Sequence, residues 1–151
     1  MVMKLAEALS LRADLQKRVA QLKQRLKDNV KIEEGDSTIE NPENLFTELD
    51  RSLAKFEELI YRINATNMHT LHNGVSLTQL IAQKDTLALR IATLRDIYKH
   101  ITDRDRYGIN EIKYVRTIDA EKLNQQIDSY SQQYRKLDLE IQSVNWTTDL
   151  E

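Results

Sequence analysis

Most of this chain is built from apolar residues that recur at alternating three- and four-residue steps. This spacing places them on one face of an α-helix and predicts long amphipathic helices that pack against one another. The pattern predicts four helices, over about residues 3–28, 42–72, 76–102 and 119–144. Because the 151 residues include only three glycines and one proline, few positions would break such helices.

Two shorter segments, VKIEE and EIKYVRT, are rich in β-branched residues and predict short strands at about 30–34 and 111–117. An up-down-up-down helix path would bring both segments to the same end, where they would pair as a ribbon. The expected fold is therefore mainly α: an antiparallel bundle of four long helices, or helical hairpins, with a short two-stranded β-ribbon at one end. The length predicts a single domain covering residues 1–151.

The connection between the second and third helices is short enough to predict that they are antiparallel neighbours. Their apolar seams would then pair with residue numbers that sum to about 150, for example Leu53 with Tyr98. The next layer along places Asn67 opposite Lys84, which is a polar layer within an apolar seam. Such a layer typically sets helix register or the choice of partner.

The same polar layer is the candidate ligand-binding site. Lys84 and Asp85, with the amides of Asn64 and Asn67, could act on or orient a small ligand. Trp146 is expected to fold toward this end as an apolar lid. The alternative is a purely structural, register-setting role, and no residue is assigned a catalytic role.

His69 and His72 have the i, i+3 spacing that can chelate a metal from one helix face. A third ligand would have to come from elsewhere in the chain, and the carboxylate of Asp149 or Glu151 is the candidate. The alternative is that histidines in the last turn of a helix complement its dipole. Since the chain also lacks cysteine, a glycine-rich phosphate loop and an HExxH motif, no metal site, cofactor or enzymatic activity is the expectation.

Charge is segregated along the chain. Residues 1–31 contain eight Lys/Arg and three Asp/Glu, whereas residues 32–58 contain two and nine. Because consecutive antiparallel helices of opposite charge neutralise each other, this pattern does not indicate nucleic-acid binding. No apolar run approaches the roughly 20 residues that span a bilayer, and the N-terminus lacks a signal-peptide pattern, so a cytoplasmic location is expected.

Several segments resemble the septicolysin-like family of small uncharacterised bacterial proteins: KLAEALSLRADLQKRVAQL, RINATN, LTQLIAQKD, EIKYVRTID and NWTTDL. The resemblance implies a bacterial source and a helical fold. The family name implies a cytolysin, but the family has no established activity and brings no functional residues. Lysis would need a helix with a strongly apolar face, whereas the fourth helix is crowded with polar residues.

Four long seams carry more apolar surface than one slender bundle can cover, which predicts a homo-oligomer, a dimer or larger. The expected function is that of a self-associating helical interaction or scaffold protein. A small-ligand-binding protein or enzyme using the polar end, and a cytolysin, are the alternatives.

Overall fold

The computed structural model describes residues 2–103 and 112–151, which form four α-helices and one short two-stranded sheet. The helices are α1 (Leu5–Asn29), α2 (Pro42–His69), α3 (Leu77–Thr102) and α4 (Ala120–Thr147); the strands are β1 (Leu71–His72) and β2 (Val75–Ser76). The prediction of a mainly α fold with four helices and a short two-stranded sheet is confirmed, but the sheet is formed by other residues than the predicted ribbon. The chain divides into two compact units, Met1–Leu77 with Ser143–Glu151, and Thr78–Gln142. The single domain over residues 1–151 stays a prediction.

In the first unit α1 packs against α2, and the buried positions of α2 recur every seven residues at Leu45, Ser52, Leu59 and Thr66. The apolar pattern predicted a seam of α2 that includes Leu53 and Ile63; Ile63 is fully buried, but Leu53 is 44% exposed. The prediction is wrong at Leu53 because two neighbouring stripes of α2 repeat every seven residues. The buried stripe contains Ser52 and Thr66, so a search for apolar residues favours the other one.

The two segments predicted to form the ribbon are not strands. Residues 30–34 form bends and a turn, and residues 112–117 have no strand conformation, while residue 111 lies outside the described residues. The buried Asn29 explains the first case: its Oδ1 accepts the backbone N–H groups of Ile39 and Glu40, both at 3.0 Å. The loop therefore folds back on the end of α1, and its β-branched residues Val30 and Ile32 are 54% and 43% exposed.

The two-stranded sheet lies instead between α2 and α3. β1 and β2 pair with His72 opposite Val75, across a turn in which Asn73 and Gly74 have φ values of 52° and 81°. Two successive positive φ values are typical of the type I′ turn, which Asn-Gly favours. Helix α2 consequently ends at His69 and not at residue 72, and Asn73 and Gly74 form a hairpin turn where the sequence suggested a helix stop.

In the second unit the seam of α3 packs on α4. Ile91, Leu123 and Ile127 are buried together, and Leu94, Tyr98, Ile101, Tyr130 and Tyr134 pack around them. Tyr98, which the sequence predicted opposite Leu53, packs within this unit on the cluster that α4 shares. All the seams share the same repeat, so periodicity alone cannot determine which helices pair.

Candidate functional site

The residues at the end of α4 are held against the start of the chain in the first unit. Lys4 and Asp149 form an antiparallel β-bridge, and their side chains form an ion pair of 2.6 Å. The backbone N–H of Leu5 donates to the Thr148 carbonyl, and that of Leu150 donates to the Met3 carbonyl, both at 2.8 Å. Because the Leu150 side chain is also buried, residues 148–151 are fixed by both polar and apolar contacts.

Three side chains of α2 contact Glu151. Arg62, Thr66 and His69 lie on one face of α2 because they are spaced by four and three residues. The Glu151 N–H donates to Thr66 Oγ1 at 2.8 Å, and Arg62 Nε donates to the Glu151 carbonyl at 2.9 Å. His69 Nδ1 lies 2.6 Å from Glu151 Oε2. We refer to Lys4, Arg62, Thr66 and His69, with residues 148–151, as the clasp.

The polar groups of the clasp are already satisfied by one another. Thr66 is only 2% exposed, and its hydroxyl donates to the Arg62 carbonyl while it accepts from Glu151. Within the described part of the chain, no buried side-chain nitrogen or oxygen lacks a hydrogen-bond partner. The His69, Asp149 and Glu151 side chains are 65%, 59% and 53% exposed, so a solute could reach these groups of the clasp. This arrangement chiefly fixes the chain, since buried polar groups that await a ligand would be left without partners.

The structure places the predicted ligand-binding residues in different surroundings. Asn64 is exposed and Asn67 is half-buried on α2, and neither takes part in the clasp contacts. Trp146 was expected just beyond the fourth helix, but it lies within α4. Because Trp146 is 65% exposed, its ring is not buried as a lid would be. The assignment of a ligand to these residues stays a prediction.

Lys84 forms an ion pair with Asp138 of α4, a residue that the sequence analysis did not single out. The Lys84 Nζ lies 2.9 Å from Asp138 Oδ1 and 6.0 Å from the centre of the Tyr134 ring. The hydrogen bond to Asp138 raises the pKa of Lys84, and Tyr134 and the neighbouring Asp85 add smaller effects in the same direction against the cost of burial. The polar position in the α3 seam is therefore satisfied across the α3–α4 hairpin.

The two candidate metal ligands lie on different elements. His69 ends α2, whereas His72 lies on β1, so the helical i, i+3 spacing does not apply. Of the two predicted third ligands, Glu151 contacts His69, whereas Asp149 forms an ion pair with Lys4. Across residues 2–103 and 112–151, no three His, Cys, Asp or Glu side chains are grouped to hold a metal ion.

Sequence reasoning missed Lys4, Arg62 and Thr66. The only local signal is the polar i, i+4, i+7 spacing that Arg62 and Thr66 share with His69 on α2. Their partners come from residues 148–151, which are more than eighty positions away in the sequence. Contacts of that separation leave no trace in helical periodicity.

Ion pairs between α1 and the acidic residues that follow it agree with the predicted neutralisation of charge. Arg18 pairs with Glu48 at 2.7 Å and Arg25 with Glu40 at 2.5 Å. The hydrogen bond from Arg25 lowers the pKa of Glu40, and the bond from Arg18 lowers that of Glu48. These four side chains account for part of the charge segregation along the chain.

These features define a mainly α protein made of two helical hairpins and a terminal clasp. The chain belongs to the family of unknown function DUF6847, whose family model matches residues 12–150. It is also similar to a solved structure described as a functionally unknown conserved protein from Corynebacterium diphtheriae. The two sequences are 38% identical, all of both chains is covered, and the TM-score is 0.92.

No curated protein matches the chain. The matched family and structure are both of unknown function, so the resemblance to septicolysin-like proteins stays a prediction. In the part of the chain that the structure describes, no helix is long and apolar enough to cross a membrane.

Proposed function

We propose that this protein is a self-associating helical interaction module. The observation that carries the proposal is the exposure of large apolar side chains along helix faces of the folded chain. On α2, Phe46 is 49% exposed and Leu53 is 44% exposed, one heptad apart. Exposed apolar residues that line up on one face are typical of surfaces that bind another protein.

The α3–α4 hairpin supports the same proposal. A pair of helices covers only one side of each seam, whereas a bundle of four helices encloses it. Leu94, Tyr98, Tyr130 and Tyr134 accordingly remain only partly buried around the small buried cluster of this hairpin. Association would remove more of these side chains from water, at about 25 cal/mol per Å² of apolar surface.

The clasp supports an interaction module better than an enzyme, because its polar groups bind one another and hold residues 148–151 in place. A rigid helical scaffold with open apolar faces suits recognition of another helix. A cytoplasmic location and the absence of a nucleic-acid partner stay predictions from the sequence.

The test is the mass of the protein in solution as a function of concentration. The chain mass is 17.7 kDa. We expect light scattering and sedimentation equilibrium to give a multiple of this mass at micromolar concentrations, with a thermal midpoint that rises with concentration. A mass of one chain throughout the micromolar range would refute the proposal.

A matched pair of variants on α2 tests whether the exposed apolar stripe takes part. Leu53→Glu places a charge on the stripe and should shift the mass toward one chain. Lys55→Glu places the same side chain on an exposed position of α2 on the opposite side of the helix from the stripe and should leave the mass unchanged. Circular dichroism of both variants checks that the helices remain folded.

A further inference from the structure

The exposed apolar stripe of α2 is bordered by acidic residues. Phe46, Leu53 and the half-buried Ile60 repeat every seven residues on one face, and we call them the α2 stripe. Asp50 and Glu57 follow Phe46 and Leu53 by four positions, so they lie on the same side of α2. Both carboxylates are exposed, and neither has an ion-pair or hydrogen-bond partner among residues 2–103 and 112–151.

A groove between α3 and α4 has the opposite charge. Ala88 and Ala92 of α3 and Tyr134 of α4 line it, together with Arg95 and Arg135, and no carboxylate does. We call it the arginine groove. Neither arginine has an ion-pair or hydrogen-bond partner in the described part of the chain. Since the two alanines have small side chains, a helix can approach the groove closely.

We propose that the α2 stripe of one copy packs into the arginine groove of a second copy, with Asp50 and Glu57 facing Arg95 and Arg135. This inference rests on the proposed self-association and names its surfaces. In a two-fold dimer each copy would contribute one stripe and one groove, giving two equivalent interfaces.

Charge favours the packing of a stripe on a groove over the packing of two stripes or of two grooves. Two α2 stripes packed together would bring Asp50 and Glu57 of both copies close to each other, and two grooves would do the same with Arg95 and Arg135. Like charges at an interface disfavour association, whereas opposite charges steer the correct partner. A second copy supplies both complementary surfaces, and both are exposed in the folded chain.

The spacing of the charges fits the pairing. Asp50 and Glu57 are about 10 Å apart along α2, because each residue rises 1.5 Å. In the α3–α4 hairpin, Lys84 pairs with Asp138 and Arg90 with Tyr130, so Arg135 lies about level with residue 86 of α3. Arg95 is then about 13 Å farther along the hairpin. The difference between these two spacings, about 10 Å on α2 and about 13 Å on the hairpin, is small enough for two flexible arginine side chains to bridge.

The test exchanges the charges of the two surfaces. One variant carries Asp50→Arg and Glu57→Arg, and the other carries Arg95→Glu and Arg135→Glu. Each variant alone should raise the Kd of self-association at least about tenfold, because like charges then face each other. An equimolar mixture of the two should associate about as tightly as the wild type, since both interfaces of the mixed dimer would again join opposite charges.

The control variant carries Lys122→Glu and Lys136→Glu. These reversals change the same number of charges on exposed positions of α4 away from the groove, and the Kd should stay within about twofold of the wild type. If the wild type itself is monomeric, the proposed function fails as well. If the wild type associates but the reversals have no effect, or the mixture does not restore association, this inference is wrong while self-association stands.

Discussion

Replacing Thr66 by valine tests how much one buried hydroxyl contributes to holding the clasp. Valine keeps the shape of threonine but cannot accept the Glu151 N–H or donate to the Arg62 carbonyl. The Arg62 carbonyl keeps its helical hydrogen bond, so the main cost is the partly buried N–H of Glu151 left without an acceptor. We expect the free energy of unfolding to fall by about 1–2 kcal/mol.

That loss should be measurable in two ways. For a chain of this size, 1 kcal/mol shifts the thermal midpoint by about 2–4 °C, so the midpoint should fall by about 2–8 °C. If the clasp opens without unfolding the rest of the chain, hydrogen exchange of the Leu150 and Glu151 amides should become about 5–30 times faster. A loss of about 1–2 kcal/mol raises the population of the open state by that factor.

Thr66→Ser is the control, because it keeps the hydroxyl and removes one buried methyl group. It should destabilise the protein by roughly 1 kcal/mol while leaving the exchange of residues 150 and 151 close to that of the wild type. Unchanged exchange of these amides in Thr66→Val would refute the contribution assigned to the hydroxyl in holding residues 150 and 151.

Three further predictions follow from the polar contacts. Lys84→Met should cost about 0.5–1 kcal/mol at neutral pH, because its partner Asp138 is as exposed as Lys84, at 28%. The pKa of Lys84 is raised in the folded state, so the stability that Lys84 contributes is present below pH 10.5 and is lost as the pH rises through the folded pKa. The free energies of unfolding of the wild type and the variant, measured in urea, should therefore become equal in strong alkali. The pKa of Glu40 is lowered by Arg25, so the stability difference between wild type and Arg25→Gln should be present above pH 4.5 and vanish as the pH falls through the folded pKa of Glu40. Asn29→Ala removes one hydrogen bond to the Arg25 carbonyl and two from the following loop, and should cost about 2–3 kcal/mol by urea unfolding; an unchanged midpoint would contradict the role given to Asn29.

The positions of the helices follow from local sequence. The amide of Asn41 caps α2 by accepting the Glu43 N–H, and Asp119 caps α4 by accepting the N–H groups of Glu121 and Lys122. These interactions span three residues or fewer, so they can be predicted without the rest of the fold. The hairpin at residues 71–76 was also encoded locally, because Asn73 followed by Gly74 favours a type I′ turn. The helical pattern of α2 continues into the same residues, so periodicity alone predicts a helix there up to residue 72.

The pairing of helices was decided only by tertiary structure. The seams of α2, α3 and α4 have the same repeat, so Tyr98 could be matched with Leu53 as well as with α4 on the basis of sequence. Likewise, the β-branched residues at 30–34 and 112–117 favour strands, but a strand also needs a partner whose free N–H and C=O groups face it. Asn29 instead accepts the N–H groups of Ile39 and Glu40 at the far end of the first loop, which folds the loop back on α1.

The clasp could not be predicted for the same reason. Thr66 and Glu151 each have ordinary local surroundings in the sequence, and only the folded chain brings them within 2.8 Å. The sequence by itself determined where helices form, because each helical hydrogen bond joins residues four positions apart. Tertiary structure decided which helix faces pack together. That choice depends on how side chains far apart in the sequence fit each other in shape and charge, and the helical repeat does not encode this.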